Sequence, residues 1–304
     1  MAEGRVWPAY LRMSSRELRA RAEALRELAS PCRLCPRECR VRRAQGERGS
    51  CRAGLTPWVS SFGPHFGEER VLVGQGGSGT IFFTGCNLHC VFCQNYEISQ
   101  LCEGEEISVE ELAAWMLKLQ ELGCHNINLV TPTHQAPQIV EALAIAREGG
   151  LGLPIVWNCG GYESVEALRL LSGIVDIYMP DFKYGDSRVA ARYSDAPGYF
   201  EVAKAALKEM HRQVGDLKIE GGIARRGLLV RHLVLPGGLA GTEKVLKFIA
   251  EELSPKTFIN IMAQYYPTYK AWQYPELARR ITPEEYSEAL KIARRLGLSR
   301  AAPH

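Results

Sequence analysis

The sequence predicts an α/β protein built on a parallel sheet, and three observations carry that prediction. From residue 79 onward, short runs rich in apolar and β-branched residues alternate with amphipathic stretches. Six strands separated by helices are joined by right-handed crossovers and therefore form a parallel sheet. The strand segments show little alternation of polar and apolar residues, which is typical of a sheet covered on both faces or of a barrel interior.

The predicted strands are short apolar runs bounded by turn residues. They cover residues 80–86, 126–130, 154–159, 175–179, 228–235 and 257–263. The predicted helices cover 108–122, 136–148, 163–172, 188–212 and 242–253. Two further helices are expected outside this region: a polar helix capped near Ser14 or Ser15, and a C-terminal helix capped by Thr282, with Glu285 completing a capping box.

Composition and charge exclude several classes of function. A hydrophobic content of 46% with 23% charged residues is ordinary for a soluble globular protein. The net charge of +3 gives no clear signal for nucleic-acid binding, and no run of eighteen apolar residues predicts a membrane span. The N-terminus lacks the apolar core of a signal peptide, so we expect a cytoplasmic protein. In that reducing compartment the ten cysteines are expected to bind metal rather than form disulfides.

Polar and glycine-rich segments follow every predicted strand. These segments are GCNLHCVFCQN, TPTHQ, NCGGYE, PDFKYGD, PGGLAG and QYYPTY. The carboxyl ends of parallel strands meet at one edge of a sheet, and that edge is where such folds place their chemistry. The sequence therefore predicts an enzyme whose active site lies at this edge.

The segment after the first predicted strand contains Cys86, Cys90 and Cys93 in a C-x3-C-x2-C pattern. Thiolates are soft ligands that favour zinc, copper(I) and iron–sulfur clusters. A structural zinc normally takes four protein ligands, whereas an iron–sulfur cube held by three thiolates keeps one iron open to a small molecule. We favour the open cluster over a zinc site completed by His89, a cluster closed by Cys102, and three buried free thiols.

A second group of cysteines precedes the first predicted strand. Cys32, Cys35, Cys39 and Cys51 have the spacing C-x2-C-x3-C-x11-C. Four thiols at this spacing can hold a tetrahedral zinc or a second iron–sulfur cluster, and the spacing alone does not choose between them.

The C-x3-C-x2-C pattern with an aromatic residue directly before its last cysteine, here Phe92, resembles the signature of radical S-adenosylmethionine (SAM) enzymes. The wider sequence resembles the branch related to pyruvate formate-lyase activating enzyme over about residues 30–270. The segments that carry this resemblance are GSGTIFFTGCNLHCVFCQN, NLVTPTH, NCGGYE, DIYMPDFKYGD and RHLVLPGG. The resemblance implies a partial (β/α)6 TIM-like barrel of the radical SAM type, which agrees with the six strand–helix units.

The resemblance also implies a reaction. The three cysteines would hold a [4Fe–4S] cluster, and SAM would bind the iron that lacks a cysteine. Reduction by flavodoxin or ferredoxin would cleave SAM to a 5′-deoxyadenosyl radical, which abstracts hydrogen from a substrate protein or small molecule. Activation of a glycyl-radical enzyme is the role suggested by the family name, and a free-standing oxidation, a peptide modification or an RNA modification fits equally. The alternatives outside this class are an electron carrier with two iron–sulfur clusters and a zinc-based binding module.

Several site residues are suggested by the resemblance and by their place after strands. Those expected to bind the cofactor are Phe92, Thr133, Asn158, Gly160, Gly161, Asp181, Lys183 and Arg231. Those expected to be catalytic or to face the substrate are His134, Gln264 and Tyr265. The chain departs from the activating enzymes at residues 131–134, where TPTH replaces their usual Gly-Gly-Glu segment.

These features divide the chain into four expected parts. They are an N-terminal helix (1–30), a four-cysteine metal-binding segment (31–75), the radical SAM core (76–270) and a C-terminal helical extension (271–304).

Overall fold

The backbone is organised by one mixed sheet, in a computed structural model that describes residues 7–303. Within these residues the sheet has ten strands. Their bounds are β1 Trp58–His65, β2 Ser78–Phe83, β3 Glu105–Glu106, β4 Ile127–Val130, β5 Ile155–Cys159, β6 Ile177–Pro180, β7 Lys218–Glu220, β8 Ile223–Leu233, β9 Phe258–Met262 and β10 Ala301–Pro303.

The centre of the sheet is parallel and follows the order of the chain. Strands β2, β4, β5, β6, β8 and β9 pair in that sequence. At one edge β1 pairs antiparallel with β2 and β3 with β1, while at the other edge β10 runs parallel to β9. Because the order runs from β10 to β3 without the two edges meeting, the sheet is not closed. The predicted α/β class with six parallel strands in a partial barrel is confirmed.

All six predicted strands are present, with ends that differ by a few residues. Strand β1 was not predicted. Its sequence WVSSFGPH contains Gly and Pro, and most of its residues are half-buried or exposed, so it lacks the apolar run of a buried strand. Proline is tolerated there because the strand lies near an edge of the sheet, where fewer N–H groups are needed for pairing.

Helices alternate with the strands along the chain. Their bounds are α1 Ser15–Leu28, α2 Arg70–Val73, α3 Tyr96–Ser99, α4 Val109–Glu121, α5 Ala136–Glu148, α6 Val165–Leu170, α7 Ser187–Ser194, α8 Tyr199–Val214, α9 Thr242–Phe248 and α10 Pro283–Arg295. The single helix predicted over 188–212 is wrong. Asp195 (φ 47°) and Gly198 (φ 67°) adopt left-handed backbone conformations on either side of Pro197, so α7 ends and α8 begins there.

The predicted N-terminal caps of the first and last helices are confirmed. Ser14 and Glu17 form a capping box at the start of α1, and Thr282 and Glu285 form one at the start of α10. Each cap satisfies backbone N–H groups that the first helical turn leaves without a partner.

The N-terminal part of the chain packs into the same apolar core as the sheet. Helix α1 lies against α5, and Leu18 and Leu25 are fully buried, which stabilises the fold by about 1.5–3 kcal/mol for each side chain. Cys32 and Leu34 of the four-cysteine segment join this core. No helix in the described range 7–303 is long and apolar enough to cross a membrane.

Candidate active site

A cavity of about 350 Å³ opens at the carboxyl ends of the parallel strands. This volume lies within the range of small-molecule sites. The cavity is lined by most of the residues predicted from the sequence, namely Cys86, Cys90, Phe92, Cys93, Asn158, Gly160, Asp181, Lys183, Arg231 and Gln264. The strand register therefore brings together residues up to about 180 positions apart in the chain.

The three cysteines of the C-x3-C-x2-C segment lie in the loop after β2, and each sulfur has a hydrogen-bond donor beside it. The pairs are Leu88 N to Cys86 Sγ at 3.3 Å, Ser194 Oγ to Cys90 Sγ at 2.9 Å, and Ser99 Oγ to Cys93 Sγ at 3.1 Å. Donors aimed at sulfur stabilise the negative charge of thiolates, as an iron–sulfur cluster requires. In a cube each thiolate binds a different iron, so the three sulfurs need not converge on one point. The donor set thus fits a cluster.

A network of buried charged groups faces the same cavity. The Arg231 guanidinium donates from Nε to Asp181 Oδ1 at 2.9 Å and from Nη2 to Asn158 Oδ1 at 2.7 Å. Lys183 Nζ donates to the other oxygen of Asp181 at 2.5 Å. Glu68 approaches Arg231 at 3.5 Å. Each oxygen of Asp181 therefore accepts from a different cation.

Electrostatics favour the charged forms of Asp181 and Lys183. Burial acts to raise the pKa of Asp181, but Arg231 and Lys183 outweigh it and hold the pKa below its usual value. Burial likewise acts to lower the pKa of Lys183, and Asp181 raises it above its usual value instead. A cavity that keeps a lysine charged beside three thiols suits a ligand with a carboxylate group.

Strand pairing explains why the network assembles. Asp181 follows β6 directly and forms an isolated parallel bridge with Arg231 of β8, and Phe182 N donates to Arg231 O at 2.7 Å. On the other side Asp181 N donates to Cys159 O at the end of β5. Three neighbouring parallel strands therefore deliver these side chains to one place.

Glycines allow the strand ends to approach each other closely. Gly161 has φ +74°, and a Cβ on it would lie 2.2 Å from Asp181 O. Gly160 lines the cavity, and a Cβ there would lie 2.6 Å from Leu88 of the cysteine loop. Gly161 itself does not line the cavity, so its contribution is to let the end of β5 pack against Asp181.

Phe92 lies at the cavity wall with two aromatic rings behind it. The Tyr265 ring packs edge-on at 5.7 Å between centroids, and the Tyr184 ring does so at 6.4 Å. The Tyr265 hydroxyl donates to Leu277 O at 2.7 Å, away from the cavity, which Tyr265 does not line. Tyr265 therefore supports Phe92, whereas Gln264 reaches the cavity itself.

Thr133 and His134 lie behind the cavity wall rather than in it. The Thr133 hydroxyl donates to Glu163 Oε1 at 2.5 Å, and both side chains are buried. His134 Nε2 donates to Thr84 O at 2.7 Å, and burial lowers the pKa of this imidazole to about 4. The neighbouring Thr131 lines the cavity instead, with φ +59°.

The cavity also contains residues that sequence reasoning missed. His65, Gly67 and Glu68 line it from the end of β1. The segment GPHFGEE carries a histidine between two glycines and two carboxylates after them, but without β1 in the predicted sheet nothing connected it to the site. Ser99 and Ser194 were missed as well, because serine is common and neither position has a distinctive spacing.

The four-cysteine segment lies beside the cysteine loop, outside the cavity. Cys32, Cys35 and Cys51 are buried and Cys39 is half-buried. Arg43, itself buried, donates from Nη2 to Cys51 Sγ at 3.3 Å and from Nη1 to the backbone oxygen of His134 at 2.7 Å. Across residues 7–303, no three His, Cys, Asp or Glu side chains are gathered as ligands of a single metal ion.

Cys102, which the electron-carrier alternative would use as a fourth ligand, lies away from the cavity lining. Its sulfur is 3.8 Å from Gln100 O and 3.7 Å from Arg52 Nη1, on the side of the four-cysteine segment.

Two curated relatives come from Methanocaldococcus jannaschii. The protein named Uncharacterized protein MJ0674 is 36% identical over 288 residues, which cover 91% of this chain and 78% of the relative. Uncharacterized protein MJ0808 is 25% identical over 287 residues, covering 84% of this chain and 78% of the relative.

Solved structures show a more distant likeness. The hydrogenase maturase HydG matches with a TM-score of 0.49 and 11% identity, over 72% of this chain and 48% of that chain. Methylornithine synthase (PylB) matches with a TM-score of 0.49 and 15% identity, over 72% of this chain and 61% of that chain. This chain thus spans about half the length of HydG and three fifths of PylB.

The family model described as the Radical SAM superfamily matches residues 80–224, which include Cys86, Cys90, Cys93, Asp181 and Lys183. Radical SAM proteins hold a [4Fe–4S] cluster and bind SAM, and the hydrogen-bonded thiols and charged cavity of this chain fit both groups. This chain carries a radical SAM superfamily domain over residues 80–224.

Proposed function

We propose that the chain holds a [4Fe–4S] cluster on Cys86, Cys90 and Cys93 and binds SAM in the adjoining cavity to abstract hydrogen from a substrate. The observation that carries this proposal is one cavity shared by three donor-supported thiols and the buried Asp181–Lys183–Arg231 network. When bound, the cluster and SAM supply a 5′-deoxyadenosyl radical for that hydrogen abstraction. The protein must hold both groups in place and exclude water from the reaction.

The cavity residues divide into those that contact the ligand and those that support them. We assign contact to Phe92, Asn158, Gly160, Asp181, Lys183, Arg231 and Gln264, which line the cavity. In this assignment Lys183 faces the cofactor carboxylate, because its buried ammonium group lines the cavity and pairs with the single carboxylate of Asp181 within the described residues. We assign support to Thr133, His134, Gly161 and Tyr265, which pack behind the lining.

Two further roles remain proposals. Reduced flavodoxin or ferredoxin is the electron donor that radical SAM enzymes generally use, and we propose it here. We also propose that Cys32, Cys35, Cys39 and Cys51 bind zinc or a second iron–sulfur cluster. Their spacing supports this, as does the buried Arg43 cation, which interacts with Cys32, Cys35 and Cys51.

The role of the enzyme and the class of its substrate stay predictions. A glycyl-radical activase is the role expected from the resemblance to pyruvate formate-lyase activating enzyme. A free-standing oxidation, a peptide modification and an RNA modification are the alternatives. The cytoplasmic location expected from the sequence also stays a prediction.

Anaerobic reconstitution with iron and sulfide tests the proposal. We expect the reconstituted protein to form 5′-deoxyadenosine from SAM after reduction with dithionite, and Cys90→Ala to form none. Cys124→Ala is the matched control, because Cys124 is buried between α4 and β4 and does not line the cavity. Counting iron and zinc in the same samples identifies the metal of the four-cysteine segment. A wild-type protein that binds zinc alone, or that keeps its cluster and leaves SAM intact, would overturn the proposal.

A further inference from the structure

The hydrogen bond to Cys93 comes from Ser99, at the end of the short helix α3. Ser99 Oγ lies 3.1 Å from Cys93 Sγ, and the side chain is buried. A sulfur bound to iron carries no proton and can only accept, so in the loaded protein the hydroxyl must be the donor.

The neighbouring Gln100 fixes the direction of this hydroxyl. Gln100 Nε2 donates to Leu88 O at 3.1 Å and to Ser99 Oγ at 3.1 Å. Because a backbone carbonyl only accepts, the Leu88 contact places the amide nitrogen of Gln100 on this side. The oxygen of the Ser99 hydroxyl therefore accepts from Gln100, and the hydroxyl hydrogen is left to donate to Cys93 Sγ.

The chain of hydrogen bonds continues into the four-cysteine segment. Gln100 Oε1 accepts from His89 Nδ1 at 3.1 Å, so the other ring nitrogen of His89 carries no proton in the neutral form. That nitrogen, Nε2, accepts from Ser50 Oγ at 2.6 Å. Ser50 directly precedes Cys51. In this series of hydrogen bonds each residue donates to the next one, from Ser50 through His89, Gln100 and Ser99 to Cys93.

We infer that Ser99 is a positioning residue that raises the reduction potential of the cluster, and that the chain through Gln100 and His89 holds its hydroxyl in the effective orientation. This inference rests on the proposed function, since it requires a cluster on Cys86, Cys90 and Cys93. The reduced cluster carries one more negative charge than the oxidised cluster, so a donor to a ligating sulfur stabilises the reduced form more.

A second hydroxyl acts in the same manner on Cys90. Ser194 Oγ donates to Cys90 Sγ at 2.9 Å, and the Tyr184 hydroxyl lies 2.6 Å from Ser194 Oγ. Both serines come from segments other than the cysteine loop itself, so the loop does not supply its own side-chain donors.

The test compares midpoint potentials of anaerobically reconstituted wild type, Ser99→Ala and Ser99→Thr, followed by electron paramagnetic resonance in a redox titration without SAM. We expect Ser99→Ala to retain its iron, with the ratio of reduced to oxidised cluster about tenfold lower at any set potential. For one electron this is a midpoint about 59 mV lower. Ser99→Thr keeps the hydroxyl and is expected to match wild type. Ser61→Ala, an exposed serine on β1, is the control.

The outcomes separate this inference from the proposed function. A wild type without a cluster defeats the proposed function. A wild type with a cluster whose midpoint is unchanged in Ser99→Ala, or equally lowered in Ser99→Thr, defeats the inference alone. If Ser99→Ala binds no cluster, Ser194→Ala takes its place, and its midpoint potential is expected to be lower by the same amount. An unchanged midpoint potential in Ser194→Ala then overturns the inference.

Discussion

Glu163 is a buried carboxyl group at the carboxyl end of β5, close to the candidate site but behind its wall. Its side chain accepts a hydrogen bond from Thr133 at 2.5 Å. Burial raises the pKa of Glu163 to about 7, although hydrogen bonds from Thr133 and its neighbours act in the opposite direction. The group therefore changes its charge near neutral pH.

This titration predicts a pH dependence of stability. The unfolded chain releases the Glu163 proton near pH 4.5 and the folded protein near pH 7. The stabilising contribution is therefore complete below pH 4.5 and is lost as the pH rises through 7. Between these limits we expect the free energy of unfolding of Glu163→Gln to rise relative to wild type by about 3 kcal/mol. Urea denaturation at pH 5 and pH 8 measures the change.

The exposed Glu288 offers the control for this experiment. Glu288→Gln is expected to follow the pH profile of wild type within about 1 kcal/mol, because an exposed ion pair contributes little. A Glu163→Gln protein whose difference from wild type is the same at both pH values would show that Glu163 does not titrate in this range.

At the residue scale the sequence predicts chemistry better than orientation. The three cysteines were predicted from their spacing, and Asp181 and Lys183 from the resemblance of PDFK to a family segment; all five line the cavity. His134 and Tyr265 follow strands, yet they point behind the cavity. The side to which a loop residue points depends on the backbone after the strand, and residue type does not reveal it.

At the scale of elements, the loop that carries Cys86 packs directly on the four-cysteine segment. Gly85 has φ +82°, and a Cβ on it would lie 2.4 Å from Cys51 O. Ser50 and Arg37 of the same segment bond to His89 and to the backbone oxygen of Asn87. The two cysteine groups are thus parts of one packed unit.

This packing predicts that Gly85→Ala disrupts the cysteine loop. The variant combines a left-handed backbone with a contact to Cys51 O that no flexible side chain can relieve, so we expect a loss of about 3 kcal/mol or more and little bound iron. Gly123→Ala is the matched control, because Gly123 has the same φ of +82° with nothing within 4 Å of its Cβ position. It is expected to cost about 1 kcal/mol and to keep its iron.

Thermal denaturation and iron analysis of the two variants provide the measurement. If both lose the same stability and both keep their iron, the backbone conformation alone matters, and the contact between Gly85 and the four-cysteine segment has no role.

Elements were predicted from sequence where their apolar pattern is strong. Strands β4, β5 and β6 are buried on both faces, and their apolar runs are unmistakable. Strand β1 is half-exposed and contains Gly and Pro, so its pattern resembles a loop. The helix predicted over 188–212 ran across Pro197, because α7 and α8 each have an apolar face. The Pro197–Gly198 pair is the sequence signal of the break that this prediction overlooked.

At the scale of the whole molecule, the strands at the centre of the sheet are more buried and more fully paired than those at its edges. Strands β4, β5 and β6 are entirely buried and have parallel neighbours on both sides. Strands β3 and β7 are short and exposed and pair on one side only. The cysteine loop follows β2, which lies between the buried central strands and the exposed edge of the sheet.

This gradient predicts the order of amide hydrogen exchange. Backbone hydrogen bonds that are buried between strands open only with large parts of the fold, whereas those of exposed hairpins open locally. We therefore expect β5 to exchange slowest and β7 fastest in hydrogen–deuterium exchange followed by mass spectrometry. Strand β8 supplies an internal comparison, because Ile223–Arg226 pairs with β7 while Leu229–Leu233 pairs with β9. The first part should exchange at least tenfold faster than the second; equal protection along β8 would mean that the hairpin opens only with the core.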